Sequence, residues 1–145
     1  MKFASFALPL LAFASSVAAQ ATFITLPTAG TQVSKGSNIT VQITKKDSMM
    51  GSIEVGLVLS FQYCGTSSPC PSATNQLGDI LYIGKLDAPF HDTPGEPYEN
   101  ITVTIPDYSF EDPAPAQIIE TRFHLIGAGP AAILETNTVA VQLVD

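Results

Sequence analysis

The sequence predicts an all-β domain, an immunoglobulin- or fibronectin-like antiparallel β-sandwich of about seven strands. Three observations carry that expectation. Apolar residues recur at every second position in several short segments, turn-forming residues punctuate those segments at close intervals, and no helical period is needed between or within them.

Taken in order, the first strand falls at residues 22–26. The second alternates Ile39, Val41 and Ile43 with Thr40, Gln42 and Thr44, as expected for a half-buried strand. Residues 53–61 (Ile-Glu-Val-Gly-Leu-Val-Leu-Ser-Phe) are more continuously apolar, which predicts a central strand covered on both faces. Further strands are expected at 79–83, at Ile101, Val103 and Ile105, at 117–126, and at Val139, Val141 and Leu143. Turns are expected at 27–36, 45–51, 84–97, 106–115 and 127–130, and in the segment between the two cysteines. The chain has no tryptophan and no widely spaced cysteine pair, so an antibody-type domain is excluded and a closed barrel is the structural competitor.

Residues 1–19 have the grammar of a secretory signal peptide. Lys2 precedes an apolar run, and Val17 and Ala19 supply the small residues that favour cleavage before Gln20. The run is too short for a membrane span. The expected mature protein is residues 20–145, a single secreted, extracellular domain with no membrane attachment after cleavage.

The full chain carries 13 acidic and 6 basic residues, a net charge of −7, and Lys2 leaves with the signal. No Lys/Arg block is present to neutralise phosphates, so nucleic acid is excluded as a partner. Cys64 and Cys70 flank Gly65 and Pro69 in a short turn, and in an oxidising compartment they are expected to form a structural disulfide. A ring of that size contributes about 2 kcal/mol. The sequons Asn38-Ile39-Thr40 and Asn100-Ile101-Thr102 mark two candidate glycosylation sites, each at the opening of an expected strand.

Candidate chemistry is sparse, and no catalytic residue, cofactor or metal is assigned. His124 shares a strand face with Glu120 and Arg122, which predicts a solvated polar face opposite Ile119, Thr121, Phe123 and Leu125. His91 neighbours Asp92 in a loop, but no Gly-x-Ser-x-Gly nucleophile motif accompanies it. Gly127-Ala128-Gly129-Pro130 lacks the third glycine and the helix of a phosphate-binding loop and is expected to be a tight turn. Asp87, Asp92, Glu96, Glu99, Asp107, Glu111 and Asp112 follow one another with no Lys or Arg between them. Their spacing matches no EF-hand, and the expected outcome is an acidic, proline-stiffened rim facing solvent or a partner. Tyr63, Phe90, Tyr98, Tyr108 and Phe110, with Asp92, Glu96, Glu111 and Asp112, are the candidate partner-binding loop residues, since aromatic anchors dominate interface energy. The alternative for the aromatics is that they cap the ends of the sandwich.

Three stretches, 77–84 (Leu-Gly-Asp-Ile-Leu-Tyr-Ile-Gly), 98–106 (Tyr-Glu-Asn-Ile-Thr-Val-Thr-Ile-Pro) and 123–130 (Phe-His-Leu-Ile-Gly-Ala-Gly-Pro), together with the strand at 53–61, resemble the fungal necrosis-inducing secreted protein (Nis) effector family. The resemblance implies a non-enzymatic virulence protein that dampens plant pattern-triggered immunity by binding host receptor-associated kinases, and in some members provokes cell death. It transfers no individual residue role. A looser likeness, carried by 24–30 (Ile-Thr-Leu-Pro-Thr-Ala-Gly) and 35–40 (Lys-Gly-Ser-Asn-Ile-Thr), is to cell-wall-associated fungal domains of the Knh type. That likeness implies a structural or glycan-binding role at the cell wall, and it ranks second because the Ser/Thr-rich tail frequent in such proteins does not follow here.

Overall fold

The computed structural model describes residues 21–47, 51–65, 69–91, 95–111 and 113–145. Residues 1–19, expected to be a signal peptide, and the acids Asp92 and Asp112 lie outside them. Eight strands form in chain order: β1 (Thr22–Leu26), β2 (Gln32–Ser34), β3 (Asn38–Lys45), β4 (Ser52–Tyr63), β5 (Asp79–Gly84), β6 (Tyr98–Thr104), β7 (Ala114–Ile126) and β8 (Ala131–Val144). They make a three-stranded sheet in the order β1-β3-β6 and a five-stranded sheet in the order β2-β8-β7-β4-β5. The sheets pack face to face, and the expected sandwich is what the chain builds.

Its core takes Val41 and Ile43 from β3, Leu57, Leu59 and Phe61 from β4, Ile118 from β7, and Val139, Val141 and Leu143 from β8. Alternation along each strand supplies these side chains, and their packing is the main source of stability.

Three features differ from the sequence reading. Residues 27–36, expected to be a turn, contain β2, which pairs in parallel with the end of β8 from Gln32↔Gln142 to Ser34↔Val144. A three-residue strand with one apolar side chain, Val33, has no period to detect; burial of Val33 and the free edge of β8 order it. Second, β7 and β8 form one long hairpin, paired from Ala114↔Leu143 to Ile126↔Ala131, so β7 begins three residues earlier than expected and β8 extends well beyond its expected residues. Gly127, at φ +83°, takes a backbone conformation in the connecting turn that L side chains rarely adopt.

Third, β4 is covered on both faces only in its second half. There residues 70–78 lie over the outer surface of the five-stranded sheet. Cys64 and Cys70 are bonded as expected, with Cα atoms 5.1 Å apart, and Gln117 donates Nε2–H to the Pro71 carbonyl at 3.0 Å. Ser60, Gln62, Gln117 and Ile119 are buried, at outward-facing positions. Gly78 closes this flap: its φ is +77° and a Cβ there would overlap the Phe61 carbonyl oxygen. The first half of β4 has no such cover, and Ile53 is 61% exposed.

Candidate functional site

The inward row of β7 changes character along its length. Ala114, Ala116 and Ile118 are buried, and the same side of the strand continues with Glu120, Arg122 and His124, which are buried as well. Strand β8 changes with it, because register sets Ala116 opposite Val141, Ile118 opposite Val139, Glu120 opposite Asn137 and Arg122 opposite Glu135. One end of the sandwich interior is therefore aliphatic and the other is ionic.

A β-bulge in β4 completes the ionic end. Glu54 pairs with His124 and Gly56 with Phe123, so Val55 is the extra residue. Such a bulge shifts the alternation by one residue, and Glu54 faces inward on one side of it while Leu57 and Leu59 face inward on the other. Arg122 donates Nε–H to Glu54 Oε2 at 2.7 Å and Nη2–H to Oε1 at 2.6 Å, a bidentate pair. It also donates Nη1–H to Glu135 Oε2 at 2.9 Å. Lys45, from β3 on the opposite sheet, reaches Glu54 Oε1 at 3.0 Å and Ser52 Oγ at 2.7 Å. Glu120 accepts from Thr22 Oγ1–H at 2.6 Å and from Asn137 Nδ2–H at 3.1 Å.

These contacts set the charges. Burial would raise the Glu54 carboxyl, but the hydrogen bonds and charges of Arg122 and Lys45 prevail and hold it at about 2. For Glu120 burial prevails over Thr22, Asn137 and Arg122 and pushes its pKa up. Burial, reinforced by Arg122, pushes His124 down. Among the described residues neither ring nitrogen of His124 has a hydrogen-bond partner, and its Nδ1 lies 3.9 Å from Glu135.

The sequence reading placed Glu120, Arg122 and His124 on a solvated face; the structure turns that face inward. A strand has one phase, and Ala114, Ala116 and Ile118 fix it by entering the aliphatic core. The opposite row accordingly points out. Ile119 lies under the cysteine flap, but Phe123 is exposed and Leu125 half-buried.

The result is an apolar outer surface over the ionic end. Ile53, Val55 and Val58 of β4, Ile83 of β5, Phe123 and Leu125 of β7, and Leu134 of β8 occupy adjacent outward positions. Val58 stands opposite Ile83, and Phe123 opposite Leu134. Ile83 is 75% and Leu134 70% exposed. Outward positions of β4, β7 and β8 carry no charged side chain in a chain of net charge −7. A patch of this kind exceeds the scattered apolar exposure normal for a monomer. Sequence reasoning missed it because it assumed the apolar side of the β7 row to be the buried one; the in-phase extension of Ala114, Ala116 and Ile118 to Glu120 was the available signal.

The loop residues singled out from sequence are dispersed. Tyr63, Tyr108 and Phe110 form a half-buried aromatic stack with Phe61, with Tyr63 and Tyr108 centroids 5.5 Å apart, and they cap the aliphatic end. The Tyr108 hydroxyl donates to Asp79. Burial and that carboxylate push the Tyr108 pKa up. At the other side Tyr98 stacks on His91 at 3.9 Å, and the exposed His91 places Nε2 2.9 Å from the Tyr98 carbonyl oxygen. Phe90 is exposed beside Lys45, Lys46 and Asp47. Glu96 and Glu111 are exposed, Glu111 beside Tyr63 and Pro113. Among the described residues no group of three or more His, Cys, Asp or Glu side chains is placed to hold a metal ion.

Compared with known families and with curated proteins, the chain matches no family model and no curated sequence.

Proposed function

We propose that this chain is an exported, non-enzymatic binding protein that works by presenting the outer face of its five-stranded sheet to a protein partner. One observation carries the reading: the charged side chains of β4, β7 and β8 face the interior, while Val55, Ile83, Phe123 and Leu134 face solvent. That arrangement lets the face bury apolar area on contact without desolvating an ion, the combination found at the centre of protein interfaces. It also selects the partner by charge. The outward positions of β4, β7 and β8 carry no cation for phosphate or anionic lipid, so the complement of this face is an uncharged, apolar protein surface.

The resemblance to the necrosis-inducing effector family puts that partner among plant receptor-associated kinases, and the virulence role follows from it. A cell-wall glycan, the partner implied by the Knh-type likeness, would find a single ring, Phe123, at the outward positions of the sheet, where sugar platforms use several. Pull-down of host kinase domains by the mature protein tests the reading. Phe123→Asp and Leu134→Asp are expected to lower capture about tenfold or more, since each buries a charge on contact, and charge reversal at Glu96 and Glu111 is expected to leave it intact. Equal capture by wild type and both Asp variants would overturn the docking face.

A further inference from the structure

The opposite face of the molecule carries both sequons, and they lie side by side. Asn38, Thr40 and Gln42 occupy successive outward positions of β3, and Asn100, Thr102 and Thr104 those of β6. Antiparallel register sets Asn38 against Thr104, Thr40 against Thr102 and Gln42 against Asn100. The two sequon threonines therefore face each other directly, with one asparagine diagonal to each. Four residues of strand separate the asparagines, roughly 14 Å along the sheet.

The hydrogen bonds of the two amides are equivalent. Thr104 Oγ1–H donates to Asn38 Oδ1 at 2.7 Å, and Gln42 Nε2–H donates to Asn100 Oδ1 at 3.0 Å. In both cases the carbonyl oxygen is engaged by the neighbouring strand, and Nδ2, the atom that takes a glycan, has no partner among the described residues. Both asparagines are exposed.

We infer that Asn38 and Asn100 are both N-glycosylated and that the paired glycans close the three-stranded face to partners, which makes the protein one-sided. The donor is an oligosaccharide on a lipid diphosphate. A bond forms between Nδ2 and the anomeric carbon, the anomeric bond to the diphosphate oxygen breaks, Nδ2 loses one proton, and the lipid diphosphate leaves. With two glycans on the three-stranded sheet, the five-stranded face is the broad sheet surface left open. Glycan placement stands on the sequon geometry alone; the one-sidedness rests on the docking face proposed above.

Secretion of the full chain from a eukaryotic host, with intact-mass measurement before and after endoglycosidase, tests both parts. Wild type is expected to lose two glycan masses, Asn38→Gln and Asn100→Gln one each, and the double variant none, with kinase capture unchanged by these substitutions. One glycan or none on wild type, or capture that falls in the double variant, would overturn the inference. Leu134→Asn places a glycan on the other face, because it completes an Asn-x-Thr sequon with Glu135 and Thr136. That variant is expected to gain a third glycan and lose capture, and adding Thr136→Val is expected to remove the glycan and restore most of the capture. A third glycan with full capture would sink the docking face and the one-sidedness while leaving the two native sites standing.

Discussion

Ala114, Ala116 and Ile118 lie on the same side of the same strand as Glu120, Arg122 and His124, yet the two halves of the row do opposite physical work. The first half joins Val139, Val141 and Leu143 in an aliphatic interior with solvent-exposed or flap-covered residues behind it. The second buries a guanidinium between Glu54 and Glu135 and leaves aliphatic side chains outside. Burying ions costs free energy where burying methyls gains it, and a buried ion cluster is weak evidence for stability. What the ionic half provides is a charge-free exterior on a strongly acidic chain. The same alternation that hides the charges puts Phe123 and Leu134 where a partner can reach them.

Removing one member of the cluster is the largest way to break this contrast. Arg122→Ala leaves the half-buried Glu54 and Glu135 without their shared, fully buried cation and is expected to cost about 4 kcal/mol. Ile118→Ala, in the aliphatic half, is expected to cost about 3 kcal/mol as transfer energy plus a cavity. Urea unfolding measures both, and a larger loss for Ile118→Ala than for Arg122→Ala would mean that the cation is not what holds the ionic end.

Acid sharpens the difference between the halves, since the aliphatic one does not titrate. The His124 pKa is depressed from 6.5, so the unfolded chain takes the proton first, and stability that is full above pH 6.5 is lost as pH falls. Glu54 acts the same way in a lower window: its contribution is full above pH 4.5 and disappears toward pH 2. Glu120, raised above 4.5, acts in the opposite direction and is relieved by acid. Thermal midpoints between about pH 7.5 and 5.5 are expected to fall more steeply for wild type than for His124→Gln, and parallel curves would contradict the buried neutral imidazole. The smallest expected effect is Leu134→Asp, within about 0.5 kcal/mol of wild type in urea because the position is exposed. A large loss there would show that the apolar face is part of the fold and not a surface.

The sandwich was legible because period-two segments and turn residues report strands directly. Val41 and Ile43 enter the interior as expected with Ile39 packed partly buried against them, as do Ile101, Val103 and Ile105, and the Cys64–Cys70 bond follows from two cysteines flanking a turn. What periodicity does not report is which of two faces is inside. At β7 the local pattern favours burying Phe123 and Leu125, and the longer-range phase set by Ala114, Ala116 and Ile118 overrides it. Strand β2 and the Val55 bulge were illegible for a related reason: each is ordered by its neighbours, β8 for one and the Glu54–Arg122 pair for the other. The docking face inherits this blindness, since it exists only once β7 has been given its phase.

The phase of β7 can be read from the two histidines. His91 is exposed and stacks on Tyr98, whereas His124 has no solvent-accessible side-chain surface. Brief labelling of the native protein with diethyl pyrocarbonate, followed by peptide mapping, compares the two rings within one molecule. The inverted row predicts modification at His91 with His124 protected until urea is added. Labelling of both histidines at similar rates in the native state would put Glu120, Arg122 and His124 back in solvent and contradict the account.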